Sequence, residues 1–131
     1  ERVRIVPPVP TSEIARAINE FDVEIMFFPP VTENLVYALP NKLFEAIQGR
    51  LAVVIGPSAS MVEIVEQTSI GVVATGWTAS NLADALDTLT PESVRQMKLN
   101  ANRAASELNA ETEKEHFFES FGSTKLSGSR G

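Results

Sequence analysis

The residues with the types and spacing to do chemistry lie in one short stretch, Ala38-Leu39-Pro40-Asn41-Lys42-Leu43-Phe44-Glu45-Ala46-Ile47-Gln48-Gly49. Glu45 follows Asn41 and Lys42 at helical spacing, so the three share one side of a helix. Leu43, Phe44 and Ile47 form its apolar side. Pro40 suits the first turn, where its missing N–H would have no partner anyway. Gly49 suits the left-handed position just past the helix end. A helix starting at Pro40 presents free amides and the positive end of its dipole to an anion. The Glu45 carboxylate, one turn in, accepts hydrogen bonds from hydroxyls. Phosphate beside sugar hydroxyls is what a nucleotide-sugar presents. Capping by Asn41 and a solvated Lys42–Glu45 pair account for the same residues.

Other reactive side chains are better explained by structure. Ser58 and Ser60 have no G-x-S-x-G around them and read as caps, Ser60 pairing with Glu63 in a capping box. His116, the one histidine, and the acidic run Glu111, Glu113, Glu115 belong to a charged helix face, and no metal-ligand cluster is present. There is no dinucleotide fingerprint and no P-loop. Trp77, between a strand end and a helix cap, reads as packing. No cofactor is implied.

These side chains must be positioned by the elements around them. Val3-Arg4-Ile5-Val6 alternates like an edge strand and stops at Pro7-Pro8-Val9-Pro10. Thr11 or Ser12 caps a helix with Ile14, Ala17, Ile18 and Phe21 inward. Val23 to Phe28 is the next strand, ended by Pro29-Pro30. Val31 to Leu39 is a loop of about nine residues, longer than the usual two to six. The continuous apolar run Leu51-Ala52-Val53-Val54-Ile55 marks an internal parallel strand covered on both faces. Gly71-Val72-Val73-Ala74 is the last strand. Thr78 and Thr90-Pro91-Glu92 open two more helices, the second with a stripe of Val94, Met97, Ala101, Ala104 and Leu108. Residues 110–121 form a further helix, and 122–131 a disordered tail. Strands alternating with helices predict parallel β-α units with ligand loops at the strands' carboxyl ends.

Bulk composition narrows the function classes. The 131 residues make one domain, 44% hydrophobic and 21% charged. A net charge of −6 argues against nucleic acid and against an anionic membrane surface. There is no cysteine, so there is neither a disulfide framework nor a thiolate metal site. No apolar run approaches the roughly 18 residues of a membrane span. With no signal-like opening, this points to the cytoplasm. The abrupt start inside structure suggests a piece of a longer protein.

From Arg2 to about Leu89 the order of landmarks resembles the C-terminal lobe of GT-B glycosyltransferases of the retaining group-1 type. The landmarks are the V-x-I strand with Pro-Pro-Val-Pro, Phe21-Asp22-Val23-Glu24-Ile25, Leu39-Pro40-Asn41-Lys42-Leu43-Phe44-Glu45, and the Leu51 to Ile55 strand. Glu63-Ile64-Val65, Gly71-Val72-Val73 and Leu82-Ala83-Asp84-Ala85-Leu86 follow. The resemblance implies residues 1–121 are part of a nucleotide-sugar-binding lobe, an incomplete GT-B C-terminal lobe with a three-layer, Rossmann-like parallel sheet of about four strands. It implies that Glu45 bonds the ribose hydroxyls, that amides around Asn41 and Lys42 approach the diphosphate, and that Pro8 and Val9 lie beside the base. The parent would be a glycosyltransferase acting from a nucleoside-diphosphate sugar on an unknown acceptor, and this piece would be inactive alone.

Two departures stand out. Tyr37 occupies the place of the family's second glutamate, and the N-terminal lobe is missing. In the strand order 3-2-1-4-5-6 the strands at Val3 and Val23 would be separated by two absent ones. The chain then either closes this gap or leaves an edge for a homo-oligomer to cover. A sugar-nucleotide epimerase lobe and a non-catalytic α/β partner-binding module are the alternatives.

Overall fold

The computed structural model describes residues 3–29 and 33–107, with the side chains of 33–40 excluded. The expected helix over 110–121, His116, the acidic run and the 122–131 tail lie outside the described residues, as does the Tyr37 side chain. Within them the chain is an α/β fold, compatible with a Rossmann-like one. A 3-10 turn (Thr11–Glu13) leads into α1 (Ile14–Ile18), β1 (Val23–Met26), α2 (Glu33–Gln48) and β2 (Ala52–Ile55). Then come α3 (Ala59–Thr68), β3 (Gly71–Val73), α4 (Ala79–Asp87) and α5 (Pro91–Ser106). The strands form one parallel sheet in the order β1-β2-β3, with Val23 opposite Ala52 and Val53 opposite Gly71.

β2 is the centre of the sheet, and Ala52 to Ile55 are all fully buried. Val53 and Ile55 pack on one face with Leu43, Ile47, Met61, Ile64 and Ala101 of α2, α3 and α5. Val54 packs on the other with Ala74, Ala85, Leu82 and Leu86. The two-sided burial expected of the Leu51 run is therefore met by helices on both faces. No described helix is long and apolar enough to cross a membrane.

Several expectations are corrected. Among the described residues the sheet has three strands rather than about four. Val3 to Val6 is not a strand, and Val3, Ile5 and Val6 are 77%, 95% and 56% exposed. An alternating pattern makes a strand only when an edge accepts its hydrogen bonds, and this segment meets none among the described residues. The first helical segment begins with a 3-10 turn after Pro10, with no side-chain cap from Thr11 or Ser12. The helix after β2 starts at Ala59 with Ser58 as its N-cap. Ser60 therefore lies inside it and accepts or donates a 3.1 Å bond with Ser58 Oγ, in place of the capping box. The caps at Thr78 and Thr90 do form, each reciprocated three residues on, by Asn81 and by Ser93.

The largest correction concerns α2. It begins at Glu33, so the expected loop is mostly helix and Pro40 stands in the helix interior. A proline there forfeits one ladder bond and costs about 3 kcal/mol. Complete burial of Leu43 and Ile47 contributes about 1.5–3 kcal/mol each, and Ala46 is buried beside them. These buried residues all follow Pro40 and anchor the part of α2 after the proline.

α2 ends in a Schellman motif. The Leu51 N–H donates to Ala46 O at 3.0 Å and the Arg50 N–H to Ile47 O at 2.9 Å. The left-handed residue is Arg50, at φ 59°, and not Gly49 as expected. Gly49 is required for a different reason: a methyl there would fall 2.6 Å from Ile18 Cγ1, where α1 crosses the end of α2. Arg50 is held in place by its Nη1 donating to Gln48 O and its Nε donating to Asn102 Oδ1.

Gly71 has no room for a side chain, because a Cβ would lie 2.0 Å from the Val53 carbonyl oxygen of the central strand. Gly71→Ala should lower stability by about 1–3 kcal/mol. Gly49→Ala, whose close contacts are with the movable Ile18 side chain and which meets the Ala15 carbonyl only at ordinary distance, should cost less. Urea denaturation of both variants against the parent chain checks the order.

Candidate functional site

β1 ends the sheet on one side, with β2 as its only described partner strand. Its Val23-Glu24-Ile25-Met26 sequence alternates across the sheet. Met26 joins the core under α2, so Glu24, two residues earlier, also faces α2. α1 packs against α2 through Ile18 and Gly49, where Asn19 Nδ2 donates to Gly49 O at 2.9 Å. Between α1, β1 and α2 lies a cleft of about 380 Å³. Its walls are Ile14, Ile18, Phe21, Val23, Ile25 and Leu51, and its charged groups are Glu24, Lys42 and Glu45.

This cleft brings together two of the residues singled out in the sequence, Lys42 and Glu45. It does not bring in Asn41, Pro8 or Val9, which are exposed elsewhere and do not line it. Asn41 and Lys42 also lie beyond the first turn of α2, where amides bond the carbonyls four residues back. Their N–H groups are therefore not the free helix-start donors that a helix beginning at Pro40 would provide. Glu45 sits in the last turn, its carbonyl accepting from the Gly49 N–H at 2.9 Å. That is the negative end of the helix dipole. Lys42 is thus the cleft's source of positive charge, and Glu45 is a half-buried carboxylate with acceptor capacity toward hydroxyls.

Glu24 was missed in the sequence, although a carboxylate amid Val23, Ile25 and Met26 is a visible departure from strand chemistry. Burial pushes its carboxyl above the ordinary glutamate range. The Lys42 charge pulls it back, and the Glu45 carboxylate adds to the rise.

Two other places on the molecule gather aromatic or charged side chains. At the carboxyl ends of the strands, Trp77 packs against Phe27 with ring centroids 5.2 Å apart. It also covers Gly56, where a methyl would fall 2.0 Å from its ring. The packing role expected for Trp77 is the one observed, and it fills part of the face where such sheets usually hold ligands. At the opposite ends, a cleft of about 620 Å³ carries Asp22, Arg50, Arg95 and Lys98. There Lys98 Nζ pairs with Asp22 Oδ1 at 2.7 Å, and Arg50 bonds Gln48 and Asn102. No group of three or more metal-ligating side chains occurs among the described residues.

The raised Glu24 carboxyl sets a pH dependence. A carboxyl that binds its proton more tightly folded than unfolded favours the folded state at low pH. That contribution is present below the ordinary glutamate pKa and is lost as pH rises through the raised folded value. Glu24→Gln should therefore raise the denaturation midpoint at neutral pH and remove this part of the decline above pH ~4.3. Denaturant melts of both chains across pH 4 to 8 measure it.

Comparison of the chain with protein-family models, with curated proteins and with solved structures gives no match.

Proposed function

We propose that this chain is the donor-binding part of a glycosyltransferase that takes a sugar from a nucleoside-diphosphate sugar. The observation that carries the reading is the meeting of Lys42 and Glu45, both from the L-P-N-K-L-F-E stretch, on one wall of the α1–β1–α2 cleft. The family resemblance of that stretch and the run of parallel β-α units support it. Glu45 accepts from the ribose hydroxyls, and Glu24 offers a second carboxylate on the facing strand. Lys42 meets the diphosphate through its ammonium, since the helix-start amides lie elsewhere. Two carboxylates against one ammonium favour the hydroxyl-rich half of such a ligand over its anionic half. No residue of this chain is assigned a catalytic role. Rate enhancement in this reading comes from stabilising a developing oxocarbenium-like sugar and a departing diphosphate.

A second reading, a non-catalytic α/β module that binds a protein partner, is favoured by the open edge of β1 with Phe21, Ile25 and Phe28 each about 45% exposed.

Calorimetric titration with a panel of uridine, guanosine and adenosine diphosphate sugars separates the two. One nucleotide-sugar should bind, and Glu45→Ala should weaken it about tenfold or more, the worth of hydroxyl bonds to a charged acceptor. Lys42→Ala should reduce the salt sensitivity of binding. Binding unchanged in Glu45→Ala ends the ribose assignment, and no binding by any donor leaves the partner-binding module as the reading.

A further inference from the structure

The chain carries two unpartnered features that complement each other. One is the outer edge of β1, which has no strand beside it among the described residues and exposes Phe21, Ile25 and Phe28. The other is Val3-Arg4-Ile5-Val6, which alternates like a strand, makes none, and leaves Ile5 95% exposed. We infer that Val3 to Val6 of one copy adds as a parallel strand to the β1 edge of a second copy, reciprocally, making a strand-exchanged dimer. This rests on the sheet edge and not on the donor-binding reading, and in the dimer Arg4 of the second copy joins Lys42 as a cation beside Glu24 at the α1–β1–α2 cleft.

The register follows from the side chains. Setting Val3 beside Val23 puts Arg4 beside Glu24, Ile5 beside Ile25 and Val6 beside Met26. Arg4 then meets the half-buried carboxylate on the α2 face. Val6 extends the core next to Met26, and Ile5 covers the exposed Ile25 on the opposite face. A slip of one residue would turn Arg4 toward the Ile25 face and bring Ile5 onto the Glu24 side, so the pairing is specified by charge as well as by apolar pattern. Both segments are four residues long, and in this register the Arg4 and Val6 amides donate to the open Val23 and Ile25 carbonyls while the Ile25 amide donates to the Arg4 carbonyl.

The hinge favours a second copy over closure within one chain. Pro7-Pro8-Val9-Pro10 joins the segment to α1, and Pro10 has φ −57° and ψ 146°, the extended polyproline conformation. Such a hinge is stiff and holds Val3 to Val6 away from its own sheet, whereas the same edge on a neighbouring copy is open to it. Reciprocal exchange is isologous and closes at two chains, leaving neither β1 edge free.

The test uses the 131-residue chain, which contains no cysteine. Sedimentation equilibrium over a concentration series should show a monomer–dimer equilibrium. Val6→Pro removes the amide that in this register donates to the Ile25 carbonyl, at a position more than half exposed in the single chain, so the fold and its melting should be unchanged. It should weaken the dimer at least tenfold. In parallel, Ile5→Cys and Ile25→Cys chains carrying different tags are mixed and gently oxidised. They should form a disulfide between the two chains, because neighbouring parallel strands lie within disulfide range. A strict monomer at every concentration overturns the inference, as does a dimer indifferent to Val6→Pro. A doubly substituted chain that closes the disulfide within a monomer overturns it too, since the strand would then belong to its own sheet.

Discussion

The rest of the structure depends on the complete burial of β2. Leu51 to Ile55 present apolar side chains to both faces of the sheet, and each is at most 1% exposed. Their transfer from water contributes about 1.5–3 kcal/mol for each large side chain, and it is realised only if both faces are covered. α2, α3 and α5 cover one face, and α4 with Ala74 covers the other. The same crowding explains why β3 begins with a glycine: Gly71 stands against the Val53 carbonyl where no side chain fits. It also explains why the buried end of α5 is a run of alanines, Ala101, Ala104 and Ala105, small enough for a helix to lie close against β2 and α2.

That demand propagates into α2. Its apolar side is needed over β2, and the helix continues through Pro40 back to Glu33 rather than starting at the proline. The consequence for the site is direct. Asn41 and Lys42 become mid-helix residues, and Glu45 moves to the last turn, beside the amino-terminal half of β1. The half-buried cleft there, with Glu24 opposite, is the product of α1 crossing the end of α2 at Gly49 while β1 has no outer neighbour.

A sheet that is not closed has edges, and an edge strand must be covered, charged or paired. β3 is short, at three residues. β1 is longer and carries one charge, Glu24, directed toward α2 rather than along the edge, together with exposed Phe21, Ile25 and Phe28. The apolar surface at β1 and that at Val3 to Val6 thus have one physical origin, strand material lacking a hydrogen-bonding neighbour.

The sequence by itself determined what depends on local composition and period. The internal parallel strand at Leu51, the β-α alternation, the caps at Thr78 and Thr90, and the packing role of Trp77 were legible because each rests on residues adjacent or a few positions apart. The grouping of Lys42 with Glu45 was legible for the same reason, as a three-residue helical spacing. Only the tertiary structure placed the start of α2 at Glu33, ahead of Pro40, where local signals had set a helix start at the proline. It decided that Arg50 rather than Gly49 takes the left-handed turn, because the glycine is needed where Ile18 approaches. It brought Glu24 into the cleft, because strand residues meet helix residues only across the sheet. It also left Val3 to Val6 unpaired, because a strand exists only where another strand's edge receives it.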